Sequence, residues 1–467
     1  MTELLSLHGL GFGDCGKGLF TDFFSRQSMS ARRRTAVVRF NGGAQAGHNV
    51  VLPDGRHHTF SQFGAGTLVP GVWSVMASPV VLHPGALLVE HAALKKLGVS
   101  DALQRSLIDA RCRINTPFHQ AAGRLRELQR EGDTSGRHGS CGVGVGETVR
   151  DALAHPDAVL RYGDLAQPTL ALDRSDTVRL RLLAVFDAIT GPITASHAWQ
   201  QEITLLRSMT ASRRWLDGLA PLLHACPPQT STAISARLQA CDTVVFEGAQ
   251  GLLLDEWHGF HPHTTWSSTG PDAVRAVADD LQLPGRVQHF GILRSYLTRH
   301  GQGPMPTHDS ALDMLAEPHN ASDGWQGSFR RGHADAVLLR YALAAAGSLN
   351  GLLVSHLDLF DRSLPASGLQ WCEVYEAEVG DGDAALCERD AQGRIVRLLS
   401  GRVHDLDHQT RLTALLNRAR PVYADAPVTS AADLIARIES IAAVSVTHGA
   451  YGPTHTTVVS PPLSARQ

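Results

Sequence analysis

The sequence predicts an α/β protein: one large, mainly parallel, twisted sheet flanked by helices, with peripheral subdomains. Three observations carry this. First, apolar strand-like runs at 36–38, 80–82, 243–246, 288–293 and 352–354 alternate with alanine- and leucine-rich stretches of helical character at 84–97, 118–131, 335–347, 410–418 and 430–442. Strands alternating with helices argue a parallel sheet covered on both faces. Second, a chain of 467 residues, 43% hydrophobic and 19% charged, can bury a large core. Third, glycine loops carrying polar residues are scattered from residue 11 to residue 455. They make residues 1–467 read as a single domain, although length alone suggests two or three.

The first element is the apolar run Leu4-Leu5-Ser6-Leu7, read as a buried strand. Gly11-Phe12-Gly13-Asp14-Cys15-Gly16-Lys17-Gly18 follows, and Leu19–Phe24 reads as the start of a helix. Strand, glycine loop and helix present backbone N–H groups and a helix N-terminus to phosphate. Gly11 to Lys17 fits the G-x-x-x-x-G-K spacing, but Gly18 stands where a P-loop has the Ser or Thr that binds its metal. Asp14 is out of place in a loop that only holds an anion, since a carboxylate repels phosphate. It suits a group that takes a proton or holds a magnesium ion. A plain glycine turn with a turn-forming aspartate is the bland alternative. A second strand feeds Asn41-Gly42-Gly43-Ala44-Gln45-Ala46-Gly47-His48, and a third, Val244–Glu247, feeds Gly248-Ala249-Gln250-Gly251.

Charge and composition narrow the partners. The net charge is −3, and the longest basic run is Arg32-Arg33-Arg34, read as a solvated helix end, so no nucleic-acid polymer is expected. No basic-then-apolar leader and no apolar run of membrane length occurs, which predicts no membrane partner and a cytoplasmic location. Seven cysteines without regular spacing or a C-x-x-C pair read as free thiols. Of 24 histidines, only His48 sits in a loop with a chemical context.

Taken in order, these segments resemble the adenylosuccinate synthetase family, with its GDEGKGK, GG-x-N-AGH and FEGAQG-x-LLD segments. Ser295–Arg299 with Gly303–Thr307, Gly332–Arg340, Leu357–Asp361 and Gly452–Thr456 resemble later family stretches, so the likeness runs from residue 4 to about residue 458. The family joins L-aspartate to IMP at purine C6, driven by GTP, through a 6-phosphoryl intermediate. The resemblance implies that Asp14 is the catalytic base, that His48, with a pKa near neutral, is the catalytic acid, and that Lys17 places charge on the phosphates. It implies Mg²⁺ on the Asp14 carboxylate and the Gly47 carbonyl. GTP is expected at Gly13, Gly16, Lys17, Gly18, His356, Asp358, Gly452 and Pro453, with Asp358 reading guanine. The purine nucleotide is expected at Asn41, Gln45, Ser140, Cys141, Gln250 and Thr265, and the aspartate-like amino acid at Gln326, Gly327, Arg330 and Arg331. A homodimer is implied, with a partner-subunit arginine whose place falls near His155 and for which Arg150 is the nearest arginine.

The departures are concentrated. Cys15 and Leu19 replace the Glu and last Lys of GDEGKGK, and His356 replaces a lysine. Val143 and Glu147 replace the arginine and proline of TTGRGIGP. Around Ser328 and Phe329 two threonines and two arginines of the aspartate-gripping loop are missing. The GTP half is thus better kept than the acceptor half. That leaves open a paralogue using GMP, dGMP, a nucleotide analogue or another amine, and, more distantly, an inactive nucleotide-binding protein.

Overall fold

The computed structural model describes residues 2–132, 139–317, 320, 325, 327–361, 364, 367–378, 380 and 382–460. Its centre is a ten-stranded sheet in the order Val458–Val459, Val446–Ala450, Gly351–Ser355, Val287–Arg294, Glu3–Gly9, Thr243–Glu247, Thr35–Arg39, Trp73–Met76, Ser106–Asp109 and Pro228–Gln229. All neighbours run parallel except the edge pair Val446–Ala450 and Val458–Val459. The expected fold class is the observed one. The strand at 81–82 is the exception to its membership: Val81–Leu82 pairs with Arg113–Ile114 in a separate two-stranded ribbon.

The expected helices appear as Pro84–Lys96, Pro117–Gly132, Ala336–Ala346, Leu406–Arg418 and Ala431–Ala442. The fourth starts earlier than its apolar pattern because the Asp405 carboxylate caps it, accepting from the His408 N–H at 3.0 Å. Of the arginine triplet, Arg32 and Arg34 are exposed just past a helix end, and Arg33 is not freely solvated. The first helix stops at Ser30, and Arg33 donates to Glu3 at 2.7 Å and to the Asp242 carbonyl at 2.9 Å, tying together the starts of two central strands. The seven cysteines are unpaired.

Side chains of the first strand alternate as a pleat requires. Leu5 and Leu7 pack under the first helix (Lys17–Ser30) with Phe20 and Phe24, while Leu4 faces the cluster built by Pro271–Asp280 and Ser231–Gln239. Two smaller units flank the sheet. One is helical, closed around Phe118, Leu125, Val178, Phe186 and Trp199. The other is a five-stranded sheet around Trp371–Glu376.

The sheet also buries a directional hydrogen-bond chain that the sequence did not announce. The Thr269 carbonyl can only accept, so His8 donates to it from Nδ1 at 3.0 Å. His8 Nε2 then accepts from the Ser6 hydroxyl at 2.8 Å, and Ser6 accepts from Nδ1 of His289 at 2.7 Å. Arg275 closes the chain at Nε2 of His289, at 3.4 Å. Burial lowers the His8 imidazole to about 3 and the His289 imidazole to about 4, and the Arg275 guanidinium adds to both. Folding therefore keeps both rings neutral at pH values where the unfolded chain protonates them, so stability is complete above pH ~6.5 and falls as pH drops toward 4. At pH 5 the loss should be about 2 kcal/mol per ring. Urea unfolding at pH 7 and pH 5 measures it. A His289→Leu variant, less stable at pH 7, should show a shallower pH dependence, and an unchanged slope would contradict this account.

Candidate active site

Five adjacent strands of the sheet end at the same edge, in the order Gly351–Ser355, Val287–Arg294, Glu3–Gly9, Thr243–Glu247 and Thr35–Arg39. Loops beyond the carboxyl ends of parallel strands are where open α/β sheets bind ligands. Here they are the segments singled out by sequence: 10–16, 40–47, 248–255 and 356–361. Two glycines let these loops touch backbone to backbone. A Cβ on Gly251 would stand 2.3 Å from the Gly11 carbonyl oxygen, and one on Gly18 would stand 2.6 Å from that of Asn49. Gly18 therefore replaces the P-loop hydroxyl residue for packing: the first turn of the first helix rests directly on the strand His48–Val51. Ser355 donates to the Cys15 carbonyl at 3.0 Å and so fastens the start of the 356–361 loop to the 10–16 loop.

His48 opens a strand and is buried against Glu247 at the end of Thr243–Glu247, Nδ1 to Oε1 at 2.7 Å. The other oxygen of Glu247 accepts from the Ala65 N–H at 2.9 Å. Burial, with the Arg39 guanidinium nearby, lowers the His48 imidazole to about 4 against the opposing pull of Glu247. This corrects the expected near-neutral pKa. Burial alone would raise Glu247, yet His48, the Arg39 guanidinium and the Ala65 N–H hold it below the usual carboxylate range. At neutral pH the pair is a neutral ring that donates Nδ1–H to an ionised carboxylate, leaving Nε2 for chemistry.

Asp14 sits half-exposed in the first loop. Its Oδ2 accepts from Arg294 Nη1 at 2.8 Å and from the Asn320 amide at 2.9 Å. Burial pushes this carboxyl upward, but the Arg294 guanidinium, then His356, Asn320 and Lys17, outweigh it and keep it ionised. Glu317 in turn binds Arg294, the Tyr296 hydroxyl and the Asn320 amide. Lys17 is buried, with Nζ bonded to the Gly13 carbonyl. Asp14, Lys17 and His48 thus lie on the same loop edge, and Glu247 orients His48 from the end of Thr243–Glu247.

The remaining expected residues divide. Gln45 and Gln250 each bury an amide oxygen that meets no donor among the described residues. Gln250 takes a left-handed backbone, φ 57°, which lays its side chain beside Gly42. Asn41, expected on the nucleotide, is spent on the protein: it accepts from the Ala249 N–H at 2.7 Å and donates to the Ser268 carbonyl at 3.0 Å. Asp358 and His356 follow Gly351–Ser355, Asp358 within the single turn Leu357–Asp361. Gly452 and Pro453 follow the next strand outward, and Gly47 immediately precedes His48. Ser140 is exposed, with Cys141 and Thr265 half-buried. Arg330 and Arg331 are already engaged. Arg330 donates to the Gly301 and Gly303 carbonyls at 2.7 and 2.9 Å, and Arg331 to Asp313 at 2.9 Å. Gly327 precedes their strand, and Gln326 lies outside the described residues. Glu247, Arg294, Glu317 and Asn320 were missed. Glu247 alone carried a signal, because it ends an apolar strand at the lip of a glycine loop.

A doubly covered parallel sheet with a phosphate-type glycine loop, a buried lysine and a carboxylate-bound histidine defines an α/β enzyme of phosphoryl chemistry. Comparison with known proteins makes the class specific. The adenylosuccinate synthetase family model matches residues 6–458, and the chain belongs to that family. An adenylosuccinate synthetase of Marinomonas sp. (strain MWYL1) is 33% identical over 377 residues, covering 80% of each chain. The fold matches fully ligated adenylosuccinate synthetase from Plasmodium falciparum, TM-score 0.73 at 18% identity, over 98% of this chain and 99% of that one. It also matches a cyanophage S-2L succinoaminodeoxyadenylate synthetase bound to dGMP and dATP, TM-score 0.59 at 15% identity, over 100% and 97%. The protein is accordingly a GTP-dependent ligase that forms a carbon–nitrogen bond.

Glu247→Gln tests the imidazole pair. An amide cannot accept both from His48 and from the Ala65 N–H through two oxygens, so turnover should fall by about a hundredfold or more. Stability should fall by about 1–3 kcal/mol. Steady-state rates and thermal unfolding read the two effects.

Proposed function

We propose that residues 1–467 act as one ligase unit that joins L-aspartate to a 6-oxopurine nucleotide of the IMP type. The observation that carries this reading is the convergence of Asp14, Lys17 and the His48–Glu247 pair on one sheet edge. An oxo group is a poor leaving group, so O6 must be phosphorylated before an amine can displace it. Asp14, ionised at rest, removes the N1 proton, and O6 attacks the γ-phosphoryl of GTP, releasing GDP. The amine of aspartate then adds at C6, and phosphate leaves with the oxygen, while the amine loses a proton.

His48 and Lys17 serve the first step. The neutral ring takes a proton when an anionic phosphoryl group lies beside it and then donates to the developing charge, with Glu247 balancing the imidazolium. Lys17 adds a fixed positive charge. Mg²⁺, when bound, would offset phosphate charge, and the Asp14 carboxylate with the Gly47 carbonyl offers it hard oxygens. Among the described residues no three His, Cys, Asp or Glu side chains cluster to hold a metal, so phosphate and water would complete its shell.

The substrate sites follow the loops. Gly13, Gly16 and Gly18 bring the backbone to the GTP phosphates, with Gly452 and Pro453 at the nucleoside side. Asp358 accepts from guanine N1–H and N2–H₂, an edge adenine lacks, and His356 lies under the base. A purine nucleotide would supply the donor that the buried amide oxygens of Gln45 and Gln250 lack. Ser140, Cys141 and Thr265 flank its phosphate. Asn41 serves it indirectly by fixing the loops. For the amino acid, the Arg331–Asp313 pair is a surface bond that a substrate carboxylate can displace, since Asp313 is 53% exposed. Gly327 and Arg330 lie alongside, and Gln326 is assigned by sequence alone. A homodimer and a cytoplasmic location complete the proposal. Among the described residues no helix is long and apolar enough to cross a membrane.

Phosphate release from GTP with Mg²⁺ is expected only when a 6-oxopurine nucleotide and an amino acid are both present. Arms with IMP, GMP and dGMP identify the nucleotide. Full-rate GTP hydrolysis with neither substrate would leave a simple GTPase. In the same assay Asp358→Asn should erode the preference for GTP over ATP by about a hundredfold or more, because an amide cannot accept both guanine bonds. Unchanged GTP and ATP kinetics would place guanine reading elsewhere.

A further inference from the structure

One buried cluster touches Asp14, and its three members Arg294, Glu317 and Asn320 lie outside the sequence motifs. Arg294 ends the strand Val287–Arg294, and its side chain is 3% exposed. It holds Asp14 Oδ2 with Nη1 and reaches Glu317 and the Tyr296 hydroxyl with Nη2, the latter at 2.6 Å. Asn320 donates to the same Asp14 oxygen at 2.9 Å and to Glu317 Oε2 at 3.1 Å, while its own carbonyl oxygen accepts from His300 Nε2 at 3.2 Å. Glu317 is 7% exposed and accepts through both oxygens. Among the described residues, both hydrogen bonds to the Asp14 carboxylate fall on Oδ2.

We infer that Arg294 and Asn320, held in place by Glu317, are positioning residues that pin Oδ2 of Asp14 and present Oδ1 as the reacting oxygen. The inference rests on the reading of Asp14 as the base. The terminal torsion of an aspartate is broad, so an untethered carboxylate samples many angles and exchanges its two oxygens. Two donors converging on one oxygen from different chain segments remove that freedom. Glu317 is needed because Arg294 would otherwise compete for both oxygens: with Nη2 committed to Glu317 and Tyr296, only Nη1 remains for Asp14. The arrangement also joins the two halves of the site. Glu317 and Asn320 belong to the stretch that leads into Gly327–Arg331, on the acceptor side, whereas Asp14 belongs to the phosphate loop.

The test uses the full-length enzyme in the phosphate-release assay with GTP, Mg²⁺, IMP and aspartate, beside calorimetric binding of IMP. Arg294→Met should lower kcat by about a hundredfold, the scale expected of a misplaced reacting group, with KM and the IMP affinity within about threefold of the parent. Arg294→Lys should recover about tenfold of that loss, since it restores one donor and the charge. Asn320→Ala leaves no buried charge unpaired and should lower kcat by about tenfold, which keeps the test open if Arg294→Met does not fold. In an Asp14→Asn background, removing Arg294 should cost nothing further, because its effect runs through Asp14. An Arg294→Met or Asn320→Ala enzyme that keeps full kcat while Asp14→Asn is inactive would overturn the positioning role and leave the base in place. A loss carried by KM, or additive losses in the double variant, would overturn it too. Turnover retained by Asp14→Asn would instead remove the base reading itself.

Discussion

The contact of Gly18 with the backbone of His48 and Asn49 fixes the distance between the phosphate loop and the histidine strand. A side chain at that point would push the helix off the strand and draw His48 away from Lys17. Gly251 on the Gly11 carbonyl does the same for the loop that follows Glu247. Side chains that must meet across three strands are therefore positioned by backbone packing, which is stiffer than any loop anchored through rotamers. The polar pairs are consequences of it. His48 can bond Glu247 at 2.7 Å because it opens its strand at the end of the loop that follows Thr35–Arg39, the parallel neighbour of the strand that Glu247 ends.

The electrostatics of the edge are lopsided. Lys17, Arg39, Arg294 and Arg299 are all buried near it, facing Glu247, Glu317 and the half-exposed Asp14. Among the described residues Arg299 meets no carboxylate. It donates to backbone carbonyls and lies 4.3 Å from the Phe12 ring, and burial lowers it to about 9. Holding uncompensated cations out of water is unfavourable unless an anion completes the site. Phosphate groups are such anions, and the buried positive charge favours them.

What the sequence made legible was local: strand, glycine loop and helix start at 4–24, the loops at 41–48 and 248–251, and the alternation that gives a parallel sheet. Partners were not legible, because they depend on sheet order. His48 and Glu247 are 199 positions apart, and Asp14 and Arg294 are 280 apart. They meet only because the chain inserts the strands Thr243–Glu247 and Val287–Arg294 on either side of Glu3–Gly9. Asn41 is a different case. Its residue type suits a purine edge equally well, and only the positions of Ala249 and Ser268 reveal that its amide is already committed. The expected pKa of His48 failed for a related reason, since burial and Arg39 are tertiary facts.

The acceptor half departs from the family through packing as much as through charge. Val143, where the family has an arginine, joins the small apolar cluster of Val81, Val145 and Val149, and its carbonyl accepts from Asn115 at 2.6 Å. Phe329 turns toward His300, with ring centroids 4.6 Å apart, and carries the Arg331 guanidinium 5.2 Å above its ring. Trp325 lies so close to Gly142 that a Cβ there would come within 2.8 Å of its ring. Positions that were cationic in the family pattern are thus apolar supports here. Arg331 is placed by a ring beneath it and one exposed carboxylate, so it can turn toward a substrate carboxylate without leaving its support. Arg330, by contrast, holds two backbone carbonyls and shapes the 301–303 turn. Of the two arginines, Arg331 is therefore the one freer to change partners, and Arg330 the one tied to the turn.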